Sequence, residues 1–217
     1  MSKDEYLITD APIKALTVFA MPMILGSFFQ QVYNMADSII VGQYVGAPAL
    51  AAVGACAALT NVFICIALGA GAGAGVLVSR YFGAKNYSKM KTIVSTSLIS
   101  FLILSVLLGI FGFCFSRFMM TALQTPADIL EEAVLYLRVY FVGFPFLFMY
   151  NIISTMFNSI GESKIPLGLL IFSSILNIFM DIWMVAGLGL GVFGAALATL
   201  IAQGISAVFS LLIFFRV

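Results

Sequence analysis

The 217-residue chain has no histidine, and charged residues make up only 9% of it, against about 25% in soluble domains. Without imidazole, any proton chemistry falls to carboxylates. The three cysteines, Cys56, Cys65 and Cys114, all lie inside apolar runs, so neither a disulfide framework nor a metal-ligand spacing is implied. A net charge of +1 offers no electrostatic footprint for nucleic acid. In place of charge the chain is 63% hydrophobic, where about 45–50% is usual. No soluble core needs that much apolar surface, and the partner the composition implies is a lipid bilayer. The apolar stretch behind the mixed-charge amino terminus is too long for a signal-peptide core and reads as a retained first span.

A bilayer core about 30 Å thick takes about 20 residues of helix. Six segments qualify: 15–42, 50–80, 92–115, 130–160, 166–187 and 192–216, behind an amino-terminal segment 1–14. The expected fold is an all-α integral membrane protein, a six-transmembrane-helix bundle. Pro12, Pro48, Pro126 and Pro166 fall near segment starts, where a missing amide donor costs little. Pro22 and Pro145 lie inside spans one and four and are expected to bend them. Lys3, Lys14, Arg80, Lys85, Lys89, Lys91, Lys164 and Arg216 share one side, leaving Arg117 and Arg138 on the other. The positive-inside rule then puts both termini in the cytoplasm of a multi-pass cell-membrane protein. The uncharged connections Gly46-Ala-Pro-Ala-Leu-Ala-Ala and Gly191-Val-Phe-Gly-Ala-Ala-Leu form a weak internal echo.

Two carboxylates stand out within this apolar chain. Asp37 and Asp181 sit deep in spans one and five, each far in sequence from any basic residue. An ionised carboxylate at the centre of a membrane helix costs roughly 2.5–3.5 kcal/mol on insertion scales, so each needs polar partners, water or a cation. Counted from the span ends, the two lie at similar depth. Asn177 shares a helix face with Asp181 four residues on, and Thr199 of span six matches their depth. Tyr136 and Asn151 of span four add a hydroxyl and an amide. These oxygens are hard donors that suit a sodium ion or a shared proton.

Gln30, Asn34 and Asp37 fall on one face of span one, flanked by Ser27 and Tyr33. A stripe of that kind is too polar for lipid and must face protein or an aqueous cavity. Asn151, Ser154, Thr155 and Asn158 make a similar run in span four. Asn34, Ser154 and Asn158 can equally be read as ties between helices. Asp128, Glu131, Glu132 and Arg138 read as a solvated helix entrance, and Lys85, Lys89 and Lys91 as topology markers. The many Met and Phe residues suit lipid contact and packing, or a cavity for bulky apolar molecules.

The stretch from Pro22-Met-Ile-Leu-Gly through Gln-Gln-Val-Tyr-Asn-Met-Ala-Asp37 to Gly42 resembles the first helix of the multidrug and toxic compound extrusion (MATE) family. Arg80-Tyr-Phe-Gly-Ala-Lys-Asn-Tyr-Ser-Lys, Gly161-Glu-Ser-Lys-Ile-Pro166, Asn177-Ile-Phe-Met-Asp181 and Gly194-Ala-Ala-Leu-Ala-Thr199 are similar to that family too, in the same order. The resemblance implies secondary active efflux of lipophilic or cationic drugs against Na+ or H+, with no cofactor and no enzymatic activity. It implies a transporter of twelve helices in two lobes, of which this chain matches the first. A second lobe is then missing, or a second copy of the chain takes its place. Carried over residue by residue, the family's amino-terminal-lobe cation site falls on Asp37, Asn177, Asp181 and Thr199, the set that would hold Na+, with Asn151 and Tyr136 close by. Pro22 matches the helix-one proline whose bending is linked to that site, and Gln30 and Asn34 would line the cavity.

Two other classes are weighed beside it. A flippase for a lipid-linked precursor would want basic residues deep in the membrane to hold a phosphate, and no span supplies one. An intramembrane aspartyl protease also uses two membrane aspartates, but Gly187-Leu-Gly-Leu-Gly lacks the acid of its Gly-x-Gly-Asp element.

Overall fold

A computed structural model describes residues 12–214. The amino-terminal segment through residue 11, with Lys3, and residues 215–217, with Arg216 at the end of span six, lie outside the described residues. The chain forms helices α1 (Pro12–Tyr44), α2 (Ala47–Gly83), α3 (Tyr87–Ala122), α4 (Leu130–Val142), α5 (Phe144–Ser159), α6 (Lys164–Asp181) and α7 (Gly191–Phe214), with a π-helical turn (Ile182–Gly187) after α6. Five stretches are each long and apolar enough to cross a bilayer: Leu16–Tyr44, Ala47–Gly83, Tyr87–Ala122, Lys164–Gly187 and Gly191–Phe214. α4 and α5 together make a sixth, bent by 51°.

That bend falls where the sequence places a proline. Pro145 has no amide hydrogen to give the carbonyl four residues back, that of Phe141, so the helix breaks at Gly143 and restarts at Phe144. Span four is therefore two helices rather than one bent rod. α1 differs, because its helix continues through Pro22 without interruption.

The connections are short. Gly46 (φ 113°) and Gly191 (φ 58°) open α2 and α7 in a backbone conformation that side chains rarely adopt, and Pro48 sits in the first turn after Gly46. α3 starts well before residue 92 because Asn86 caps it, its Oδ1 accepting from Lys89 N–H at 3.2 Å. Lys89 and Lys91 thus stand exposed on the first turns of a helix rather than in a loop.

Lipid tails give helices no hydrophobic reason to associate, so close packing at small residues must hold them. α3 meets α4 and α5 at Gly109 and Gly112: a Cβ added at Gly112 would stand 2.2 Å from the Phe141 ring, and one at Gly109 would stand 2.9 Å from the Phe141 carbonyl. α2 meets α5 at Gly75, where a Cβ would lie 2.8 Å from Ser159 Oγ. Between these contacts the rings of Phe63, Phe141, Phe144 and Phe148 interlock, with neighbouring centroids 4.7–5.5 Å apart. α1 lies at the edge of this body, packed chiefly along α6. Ser163 Oγ ties the start of α6 to the Phe19 carbonyl of α1 at 3.4 Å. One end of the bundle therefore gathers Arg80, Lys85 and Lys164. The other carries Arg117, ion-paired with Glu131 at 2.7 Å in full exposure.

Candidate cation site

Asp37 arrives from α1 and Asp181 from the last residue of α6, and both are buried. Their carboxyl groups lie within hydrogen-bonding reach of each other. Each keeps one buried oxygen, Oδ1, without a hydrogen-bond partner.

The other side of Asp181 is well held. Asn177, four residues earlier on the same face, has both ends of its amide satisfied only when Nδ2 points at Asp181. In that orientation it donates to Asp181 Oδ2 at 2.7 Å, and its Oδ1 accepts from the Thr199 amide (3.2 Å) and the Thr199 hydroxyl (3.3 Å). Asn177 thus joins the site as a positioning donor. The Asn177 oxygen that the resemblance offers to a sodium ion accepts from Thr199 in this arrangement. The Tyr33 hydroxyl stands 3.5 Å from Thr199 Oγ1 and brings α1 into the same network.

Local backbone features set these positions. Directly after Asp181 the chain widens into a π turn, with Leu188 N–H donating to the Trp183 carbonyl at 2.9 Å, five residues back. Gly194 of α7 then fits so tightly that a Cβ there would stand 3.3 Å from the Met184 carbonyl and 2.9 Å from Leu190 Cβ. This close approach at the turn lets Thr199 reach Asn177.

Tyr136 is buried beside the pair, close enough to feel the Asp37 charge, and its ring stacks on Tyr140 at 6.2 Å. Asn151 lines the same cavity, but its Nδ2 donates to the Leu147 carbonyl of its own helix at 2.8 Å. The structure therefore brings Asp37, Asn177, Asp181 and Thr199 together, sets Tyr136 against them, and places Asn151 on the wall of the cavity that Asp37 and Thr199 line. A cavity of about 450 Å³ opens from Asp37, and Gln30 and Asn34 of the α1 stripe line it. Tyr33, Tyr140 and Gln203 also line it and were not among the expected site residues. Thr199, Gln203 and Ser206 lie four and three residues apart on α7, a stripe legible in the sequence by the spacing that revealed the one on α1.

The donor set fits a small monovalent cation or a proton. Two carboxylates this close repel unless positive charge comes between them. No group of three or more Asp, Glu, Cys or His side chains able to hold a metal ion occurs among the described residues. Among the described residues, no lysine or arginine lines the cavities around the pair.

A family model described as MatE matches residues 22–183. The chain belongs to the MatE family. It is 30% identical over 193 residues to a probable multidrug resistance protein, YoeA, of Bacillus subtilis, covering 87% of this chain and 42% of that protein. It is 27% identical over 217 residues to a multidrug export protein, MepA, of Staphylococcus haemolyticus, covering 99% of this chain and 48% of MepA. Among solved structures, a MATE family multidrug resistance transporter in an outward-facing conformation superposes with a TM-score of 0.90 at 29% identity, over 97% of this chain and 46% of the other. The MatE chain described here thus spans about half the length of the relatives it matches, as one lobe of such a transporter. Members of the family are transporters rather than enzymes, and this one is a multi-pass membrane protein.

Proposed function

We propose that this chain forms the ion-coupled lobe of a secondary active multidrug exporter, in which Asp37 and Asp181 take up Na+ or H+. The observation that carries the reading is the meeting of two buried carboxylates, each with an unpartnered oxygen, at the edge of an open polar cavity. A cation between them removes their repulsion and favours the packing in which α1 lies against α6 and α7. Coupling follows because the ion then binds that packing better than one in which α1 has moved away. Pro22, buried in α1, marks the segment whose path through the membrane would change.

The substrate is a lipophilic, cationic molecule held at the cavity by aromatic, amide and carboxylate groups, and a second six-helix lobe completes its enclosure. The end rich in Arg80, Lys85 and Lys164 faces the cytoplasm, as the positive-inside rule requires. Family membership and the absence of basic lining residues favour this reading over a lipid-precursor flippase. The Asp–Asn–Thr hydrogen bonds favour it over an aspartyl protease, where a water between the acids would need both carboxylates free.

Sodium and pH titration of the purified chain, followed by Tyr and Trp fluorescence and by thermal unfolding, tests the site. A saturable response is expected in the native chain and none in Asp37→Asn or Asp181→Asn. A response unchanged in both variants would overturn the assignment.

A further inference from the structure

The cavity at Asp37 is one of three neighbouring cavities with polar side chains in their walls. A second, of about 70 Å³, lies under Asn177 and is lined by Ser206, Ser174 and Tyr150. The third, of about 250 Å³, runs past Ser154, Asn158 and Pro22 to Ser163, beside Lys164 at the basic end. Gln30 and Asn151 belong to the walls of all three.

Buried polar atoms mark the route. Asn158 Oδ1 and Ser206 Oγ are buried without a hydrogen-bond partner, and Ser154 Oγ sits by the Tyr150 hydroxyl off hydrogen-bonding geometry. Unpaired groups of this kind are costly in a membrane interior unless water reaches them. A space above roughly 10–15 Å³ with polar walls is enough to hold one.

We infer that a hydrated passage, gated at Gln30 and Asn151, joins the carboxylate pair to the basic end of the bundle through the interior of the lobe. It admits water and small monovalent cations, and its gate keeps the two ends from being open at once. The ion can then enter by the wide cavity at Asp37 and leave between α1, α5 and α6, without retracing the route of the larger substrate. Asn151 is thereby a residue of the passage as well as of the cavity at Asp37. The inference extends the ion-site reading above, but its test does not depend on that site binding a cation.

Silver ion is the probe, since it travels only through water and is capped by thiols. On a background carrying Cys56→Ala, Cys65→Ala and Cys114→Ala, single Ser154→Cys, Asn158→Cys and Ser206→Cys variants are placed in sealed vesicles. A Lys85→Cys marker identifies vesicles that present the basic end to the outside. External silver is expected to protect all three thiols from maleimide added after unfolding, at least tenfold faster than it protects lipid-facing Ile175→Cys. Adding Asn158→Leu or, separately, Ser154→Val should slow protection at Ser206→Cys at least tenfold, and two independent plugs guard against one failing to fold. Protection no faster than at Ile175→Cys, or no slowing by either plug, overturns the passage. Asp37→Asn should abolish the sodium response while leaving silver access intact, so the failure of either claim is recognisable by itself.

Discussion

Asn177 donates to Asp181 across 2.7 Å while its own carbonyl accepts from Thr199 at 3.2 Å, so one amide fixes a buried carboxylate and ties α6 to α7. The arrangement leaves Asp181 Oδ1 without a hydrogen-bond partner, with the Asp37 carboxyl nearby. The local spacing of Asn177 and Asp181 predicts a shared face, and the neighbouring helix turns that face into a site.

Replacing Asn177 with Ala removes the donor to Asp181 and the acceptor that Thr199 meets across the helix interface. Thermal unfolding in detergent should show a loss of about 1–3 kcal/mol. The sodium or proton response should weaken without disappearing, because both carboxylates remain.

Thr199→Val should be milder. The Thr199 backbone amide still reaches Asn177, and only the hydroxyl shared with Tyr33 is lost. A stability change of about 1 kcal/mol is expected, with cation affinity lowered less than in Asn177→Ala. Titrating the two variants side by side checks the order.

Gly112→Ala should cost about 1–3 kcal/mol. Its Cβ meets the Phe141 ring, which cannot retreat because it is fully buried against Phe63 and Phe144. Gly73→Ala is the control: nothing lies within 4 Å of a Cβ there, so stability should hold or rise by up to about 1 kcal/mol from helix propensity. Equal effects in unfolding assays would mean that the α3–α4 contact is looser than described.

Arg117→Ala should change stability by less than about 1 kcal/mol, although its ion pair with Glu131 is 2.7 Å long. Both side chains are more than half exposed, and such pairs are screened by water and salt. A larger loss in low-salt unfolding would give the pair a structural role its exposure does not suggest.

Much of the fold was legible because a bilayer leaves few choices. Every backbone amide must bond within its own helix, so apolar length predicts the spans, and Pro145 marks the break between α4 and α5. The helix ends were less legible, since they depend on caps such as Asn86 and on glycines such as Gly46 whose backbone angles follow from the path of the chain. The candidate site divides in the same way. Gln30, Asn34 and Asp37 on one face, and Asn177 with Asp181 on another, follow from helical periodicity alone. The contact of Tyr33 with Thr199, and the place of Tyr140 in the same cavity wall, came only with the neighbouring helices in place.

By itself the sequence determined that the chain lives in lipid as helices and carries two acids it cannot leave bare, because composition and charge are properties of residues, not of their arrangement. Only the tertiary structure decided that these acids face each other, that Asn177 holds one of them as a donor, and that Asn151 spends its amide on its own helix. The meeting of α6 with α7 depends on a distance of a few ångströms, helped by the tight approach of Gly194 to the Met184 carbonyl, which no single helix contains.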